Sequence, residues 1–157
     1  VILLRHGFAT NVAIGGLLHD LVEDQDFDLE EIGQRFGPQV SEIVEALTEQ
    51  KRNEDGERRP WPVRKREALE KLEGASTEAA AVKAADALHN AESFREDLRR
   101  YGPDMWRHFN QGPEEQLAYY RRIASLSEEK LGSHPLVQEL KDAVEGLATA
   151  IEETGHR

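Results

Sequence analysis

The sequence predicts an all-α fold, a helical globule in one domain spanning residues 1–157. Apolar residues recur at helical spacing in one segment after another, and no segment keeps the two-residue alternation of a half-buried strand. Prolines and glycines stand at the junctions between segments, where they start and stop helices. At 157 residues the chain is long enough to bury a core of its own.

Taken in order, Val1 to Arg5 reads as the end of a helix stopped by the turn His6-Gly7-Phe8, which leads us to expect chain upstream of Val1. Thr10 or Asn11 caps a helix running to about Glu23 or Asp24. A loop at Asp26-Phe27-Asp28 follows, and Asp28 with Glu31 has the spacing of a capping box. Leu29, Ile32 and Phe36 form the apolar face of that helix, and Gly37 ends it. Pro38 opens the next, with Val40, Ile43, Val44 and Leu47 at helical spacing. Gln50 to Pro62 is polar and proline-punctuated and reads as a long mobile loop anchored by Trp61. Helices are expected over Val63 to Glu73 and Glu78 to Arg100, the second opening on an alanine-rich stretch. Tyr101-Gly102-Pro103 ends it, a short piece carries Trp106, and Pro113 and Pro135 start the last two helices. Their inward residues are Leu117, Tyr120, Ile123, Ala124 and Leu126, then Leu136, Leu140, Val144, Leu147 and Ile151.

The bulk numbers narrow the function. With no cysteine, disulfides and thiolate metal sites are impossible. No run of eighteen apolar residues occurs, so no transmembrane helix is expected, and no signal peptide is visible. The cytoplasm is the expected compartment. A net charge of −11 lacks the basic footprint of a duplex nucleic-acid binder. An anionic substrate would have to meet a local basic cluster or a metal ion. Lys51-Arg52, Arg58-Arg59 and Arg64-Lys65-Arg66 form such a cluster, although charge runs of this kind equally make a solvated surface.

The stretch Gly16-Leu17-Leu18-His19-Asp20-Leu21-Val22-Glu23-Asp24 concentrates the chemistry. The residues before it are almost wholly apolar or small, as in a helix buried inside a domain. At 100° per residue His19, Asp20, Glu23 and Asp24 share an arc of about 140°, with Leu18, Leu21 and Val22 opposite. Carboxylates drawn into an interior must be paired, protonated or metal-bound. One imidazole with three carboxylates suits Mn²⁺, Fe²⁺ or Zn²⁺ and leaves carboxylates for proton transfer. Sixty residues later Lys83, Asp86 and Asn90 fall within about 60° of one face of the alanine-rich helix. That seam is either a buried Lys83–Asp86 pair or the second half of a site.

Three strings in order resemble the HD-domain phosphohydrolase superfamily: Leu-Leu-His-Asp-Leu-Val-Glu-Asp, then Leu-Glu-Glu-Ile-Gly-Gln-Arg-Phe-Gly-Pro-Gln-Val, then Val-Lys-Ala-Ala-Asp-Ala-Leu-His-Asn. Within it the sequence is most similar to the guanosine tetraphosphate hydrolase branch, which holds the hydrolase domain of RelA/SpoT enzymes and the small alarmone hydrolases. The resemblance implies that His19, Asp20 and Asp86 are metal ligands, with Mn²⁺ the usual ion. It implies that Glu23 and Asp24 orient and deprotonate the attacking water, and that Lys83 and Asn90 lie near the nucleotide. Arg64 and Lys65 would help offset phosphate charge. The reaction implied removes pyrophosphate from the 3′ position of ppGpp or pppGpp.

Three departures accompany it, one being that the family's basic and aromatic nucleotide-binding residues near its N-terminus are missing. The family's first metal histidine falls upstream of Val1, and Ala87 stands where the family has Arg after the metal aspartate. The alternative readings are an HD hydrolase of another nucleotide, such as a 5′-nucleotidase, and a non-catalytic HD module that senses metal or nucleotide. His89 is expected to be packed or capping, His108, His134 and His156 to lie on the surface, and Trp106 and Tyr120 to serve the core.

Overall fold

The computed structural model describes residues 1–25, 28–109 and 111–155, without the side chains at 20, 21 and 23–25. The expected loop at Asp26-Phe27 and the surface position of His156 therefore lie outside the described residues. The helices are α1 (Ile2–Arg5), α2 (Thr10–Gln25), α3 (Leu29–Phe36), α4 (Pro38–Leu47), α5 (Trp61–Gly74), α6 (Thr77–Tyr101), α7 (Pro113–Leu131) and α8 (Pro135–Gly155), with a 3-10 helix at Pro103–His108 between α6 and α7. No strand occurs among the described residues, so the all-α expectation holds. The chain divides into two compact units, Val1–Lys83 and Ala84–Arg157.

In the first unit α4 is the common partner: α2, α3 and α5 all pack on it, and α1 packs on α2. Ile32, Val40 and Val44 are fully buried, and Ile14, Leu18, Val22 and Leu29 pack against them. Each such side chain stabilises the fold by about 1.5–3 kcal/mol when fully buried. Ile14, Leu18 and Val22 thus share the side of α2 that packs on this cluster. The glycines of α2 set how closely it approaches. A Cβ on Gly15 would lie 2.7 Å from Ile43 Cγ2, and one on Gly16 would lie 3.3 Å from both Leu3 and Val82. Asp28 caps α3 by accepting from the Glu30 N–H at 3.0 Å. The other half of the expected capping box is replaced by an ion pair, because Glu31 turns to Arg35 one turn on.

Three expectations are corrected here. Phe36 is 42% exposed and not part of the inner face. Gly37, at φ 92°, turns the chain directly after it. Leu17 is 75% exposed, although Val12 and His19 on the same helix are buried. The segment before α5 is not an open loop but a hairpin that bonds to itself. Arg52 and Arg58 form an antiparallel bridge. The Asn53 N–H donates to the Glu57 carbonyl and the Arg59 N–H to the Lys51 carbonyl, each at 2.9 Å. Gly56, at φ 79°, supplies the turn. Polar side chains complete it: the Glu57 N–H donates to Asn53 Oδ1 at 2.7 Å, and Arg52 to the Gly56 carbonyl at 2.7 Å. The polar composition that suggests mobility is what supplies these bonds.

In the second unit α7 packs on α8, and α8 on the 3-10 helix. Leu98, Ile123, Leu126, Leu136, Leu140 and Leu147 are fully buried. Phe94 of α6 stacks edge-on to Phe109 at 5.1 Å and lies 5.5 Å from Trp106 and 6.0 Å from Tyr120. Trp106 and Tyr120 thus pack as expected. His134 is not a bystander on the surface, because its Nδ1 accepts the Leu136 N–H at 3.1 Å and caps α8. His89, expected to be packed or capping, is exposed.

Gly15 provides a test of the α2–α4 contact. Alanine would gain about 1 kcal/mol of helix propensity, but its methyl would press on the branched, buried Ile43 side chain, and overpacking costs about 1–3 kcal/mol. Gly15→Ala should lower the urea midpoint and Gly15→Val lower it further, while a surface change such as Glu45→Ala leaves it within error.

Candidate functional site

His19 lies near the C-terminal end of α2 and is only 9% exposed. Its Nδ1 is 2.8 Å from the Gly16 carbonyl oxygen. A carbonyl oxygen only accepts, so Nδ1 carries a hydrogen. A backbone carbonyl holding one ring nitrogen is how proteins fix the tautomer and direction of a metal-binding histidine. Gly16 therefore has two uses, a close approach to Leu3 and Val82 and a carbonyl that orients the imidazole. Asp20, Glu23 and Asp24 are on the same helix, and their side chains lie outside the described residues.

On α6, Asp86 and Asn90 are half-buried and one turn apart. The Asn90 amide donates to Asp86 Oδ2 at 3.5 Å, the outer limit of a hydrogen bond. The structure thus brings Asp86 and Asn90 together. Among the described residues no three histidine, aspartate or glutamate side chains gather around a metal-sized gap. The donor chemistry fits a divalent ion all the same. A buried imidazole held through Nδ1, next to carboxylates in the sequence, matches the borderline-hard preference of first-row metals.

The remaining candidates meet around a residue that sequence reasoning passed over. Glu49 follows α4, and its side chain is 7% exposed. Arg64, 6% exposed, donates to one carboxylate oxygen at 3.0 Å, and Lys65 donates to the other. Arg64 Nε also donates to the Arg59 carbonyl at 3.2 Å. Burial alone would raise the Glu49 pKa, but Lys65, by charge and hydrogen bond, with Lys83 and Arg64, outweighs it and holds the carboxyl below its ordinary value. A cavity of about 90 Å³ opens beside this cluster, lined in part by Thr48, Glu49, Arg64, Lys71 and Lys83. Arg64 and Lys65 thus share one carboxylate, and Lys83 acts on it by charge. The signal in the sequence was the Arg-Lys-Arg run itself, since buried cations require a counter-charge.

Comparison with known proteins gives a consistent picture. The HD domain family matches residues 1–111. The chain is 38% identical over 107 residues to the guanosine-3′,5′-bis(diphosphate) 3′-pyrophosphohydrolase MESH1 of Xenopus tropicalis, covering 67% of this chain and 54% of that protein. The human protein of the same name is 36% identical over the same length and shares. The chain therefore spans about half the length of the curated relatives it matches. The 1.85 Å crystal structure of lmo0812 from Listeria monocytogenes superposes with a TM-score of 0.78 at 31% identity, covering 92% of each chain.

The Glu49 cluster makes a stability prediction with a pH signature. Breaking a buried pair by removing one partner costs about 3–5 kcal/mol, so Glu49→Gln should lose stability of that order in urea unfolding at neutral pH. Because the folded pKa is depressed, the carboxylate contributes its stability above the unfolded value of about 4.3. That contribution disappears as the pH falls through the lower folded pKa. The gap between parent and Glu49→Gln should therefore close in acid. A gap that stays constant from neutral pH into acid would show that the charge of Glu49 does not matter.

Proposed function

We infer the activity from one premise: the chain belongs to the HD domain family, which matches it over residues 1–111. A divalent metal ion comes with that family of phosphohydrolases. We propose that the protein is a 3′-pyrophosphohydrolase of guanosine tetraphosphate and pentaphosphate that uses Mn²⁺. The carrying observation is the 38% identity over 107 residues to a protein named for that activity. The buried, oriented imidazole of His19 supports the metal side of the reading.

In this reading His19, Asp20 and Asp86 hold the ion. When bound it polarises a phosphoryl oxygen and offsets the developing charge. Glu23 and Asp24 orient the attacking water, and Glu23 takes its proton as the new P–O bond forms. The bond between phosphorus and the ribose 3′ oxygen breaks, the 3′ oxygen ends as a hydroxyl, and pyrophosphate leaves with GDP or GTP as the other product. Lys83 and Asn90 contact the nucleotide. Asn90 also steadies Asp86 through their hydrogen bond. Arg64 and Lys65, both held by Glu49, help offset phosphate charge.

The metal assignment is checked without turnover. His19→Ala and Asp86→Asn each remove a donor and should abolish tight retention of a divalent ion in elemental analysis, with helical circular dichroism unchanged. Full occupancy in both variants would refute the site.

The catalytic assignment turns on Glu23. Gln keeps its size but cannot accept a proton to become a neutral acid. Glu23→Gln should keep metal and fold, lower kcat on ppGpp by about 10²–10⁴-fold, and leave KM nearly unchanged. Near-parental turnover would move the role to Asp24. Hydrolysis of a 5′-mononucleotide in preference to ppGpp would identify a different HD hydrolase, and no hydrolysis of either would point to a sensor.

A further inference from the structure

We propose that a groove between α6 and α8, within the second unit, is a binding site for a short zwitterionic peptide. Its volume is about 670 Å³, in the range of small-ligand sites. One wall is a face of α6, with Arg95, Leu98 and Arg99 at positions i, i+3 and i+4. The other is a face of α8 that runs from Gly146 through Thr149 and Ala150 to Glu153 and Thr154. The α8 wall lies outside residues 1–111, which the HD domain family matches. No residue of either wall takes part in the reaction derived above, so the inference stands apart from the hydrolase reading.

The groove offers one cation and one carboxylate to a ligand. Arg99 is spent on Glu96, to which it donates at 2.7 Å. Arg95 and Glu153 make no hydrogen bond or ion pair among the described residues. Arg95 is placed by a missing side chain: a Cβ on Gly146 would lie 2.8 Å from its Nη1, so the guanidinium rests against α8 there. Glu153 stands seven residues further along α8, about 10 Å at 1.5 Å per residue. The two charges thus mark separate positions along the groove.

The α8 wall is an acceptor surface. Thr149 Oγ1 donates its hydrogen to the Glu145 carbonyl at 3.1 Å, and Thr154 Oγ1 donates to the Ala150 and Ile151 carbonyls at 3.0 Å. Both hydroxyls therefore present lone pairs to the groove. α8 also has no basic residue in its last turn, where a helix carries partial negative charge. An amine suits the Glu153 end, and a carboxylate suits Arg95 as a partner for its planar fork. An extended residue spans about 3.3–3.6 Å, so three residues bridge the two positions. A peptide also carries N–H donors along its length for the threonine oxygens, and Leu98, Pro103 and Ala150 give its side chains apolar contact.

The test is titration calorimetry of the full chain with the tripeptide Ala-Leu-Ala, its N-acetyl form and its C-terminal amide. The free peptide should bind saturably, and each blocked form about tenfold more weakly, the loss of one charged hydrogen bond. Arg95→Gln should bind the free peptide and its amide alike, and Glu153→Gln the free peptide and its acetyl form alike. Both residues are exposed, so the urea midpoint should stay at the parental value in each variant. Thr149→Trp, which fills the groove, should abolish binding, and His19→Ala should bind as the parent does. Absence of saturable binding by the free peptide would overturn the proposal, as would equal affinity for the free and blocked forms. A dimer that dissociates on dilution and is lost in Thr149→Trp, with no peptide binding, would assign the groove to a second copy of the chain and overturn it as well.

Discussion

The approach of α2 to α4 at Gly15 constrains much of the first unit. With no side chain on Gly15, the helices meet close enough for Ile43 to occupy the space a Cβ would take. That contact fixes which side of α2 faces the core. Leu18 and Val22 go to the cluster of Ile32, Val40 and Val44. His19, four residues after Gly15 and so on the same side of the helix, is then placed by the 100° step and needs no separate instruction. The next residue, Gly16, serves the same purpose twice over, since its missing side chain admits Leu3 and Val82 while its carbonyl holds His19 Nδ1. Packing and site geometry are therefore one problem here: a side chain at either glycine would shift the helix that carries the candidate metal histidine.

A second constraint is electrostatic. α5 brings Arg64 into the interior, and the fold tolerates it because Glu49 arrives at the end of α4 to meet it. The pair is supported on both flanks, by Lys65 on the second carboxylate oxygen and by the Arg59 carbonyl on the guanidinium. Arg59 belongs to the hairpin and also pairs with Glu67 of α5. One chain of charges thus joins the hairpin, the start of α5 and the end of α4. Exposed pairs such as Arg99–Glu96 and Arg107–Asp104 lack this enclosure, and solvent leaves them little weight.

The helices were legible in the sequence because their signals are local. Asp28, Gly37, Pro38, Pro113 and Pro135 act within a turn of where they stand, and each marks an observed boundary. The helix that carries the candidates of α2 was legible for the same reason. What escaped the sequence depends on partners far along the chain. Glu49 finds Arg64 and Lys65 across fifteen and sixteen residues, and no periodicity encodes that distance. The hairpin before α5 was misread because Asn, Glu and Arg were judged by polarity, whereas Asn53 and Arg52 use that polarity to close the turn. Phe36 fits the apolar spacing of α3, but spacing does not tell where the neighbouring helix ends.

Charge distribution ties these observations to the proposed chemistry. A chain of net charge −11 repels a nucleotide carrying several phosphates at long range. That repulsion is screened beyond about 8 Å at physiological ionic strength, so what matters is the field close to the binding groups. There the balance reverses. Among the described residues Arg64, Lys65 and Lys83 all act on Glu49, and in the proposed site a divalent ion adds two further charges. The Arg64–Glu49 pair is enclosed, where the effective dielectric is lower and each charge counts for more. An acidic protein can therefore hold a highly anionic ligand if its positive charge is local and sheltered. The acidic remainder then disfavours polyanions too large to enter, because such a ligand would meet the carboxylates of the surface along with the cations of the site. In this way the same imbalance that argues against a duplex nucleic-acid partner is compatible with a small phosphorylated nucleotide.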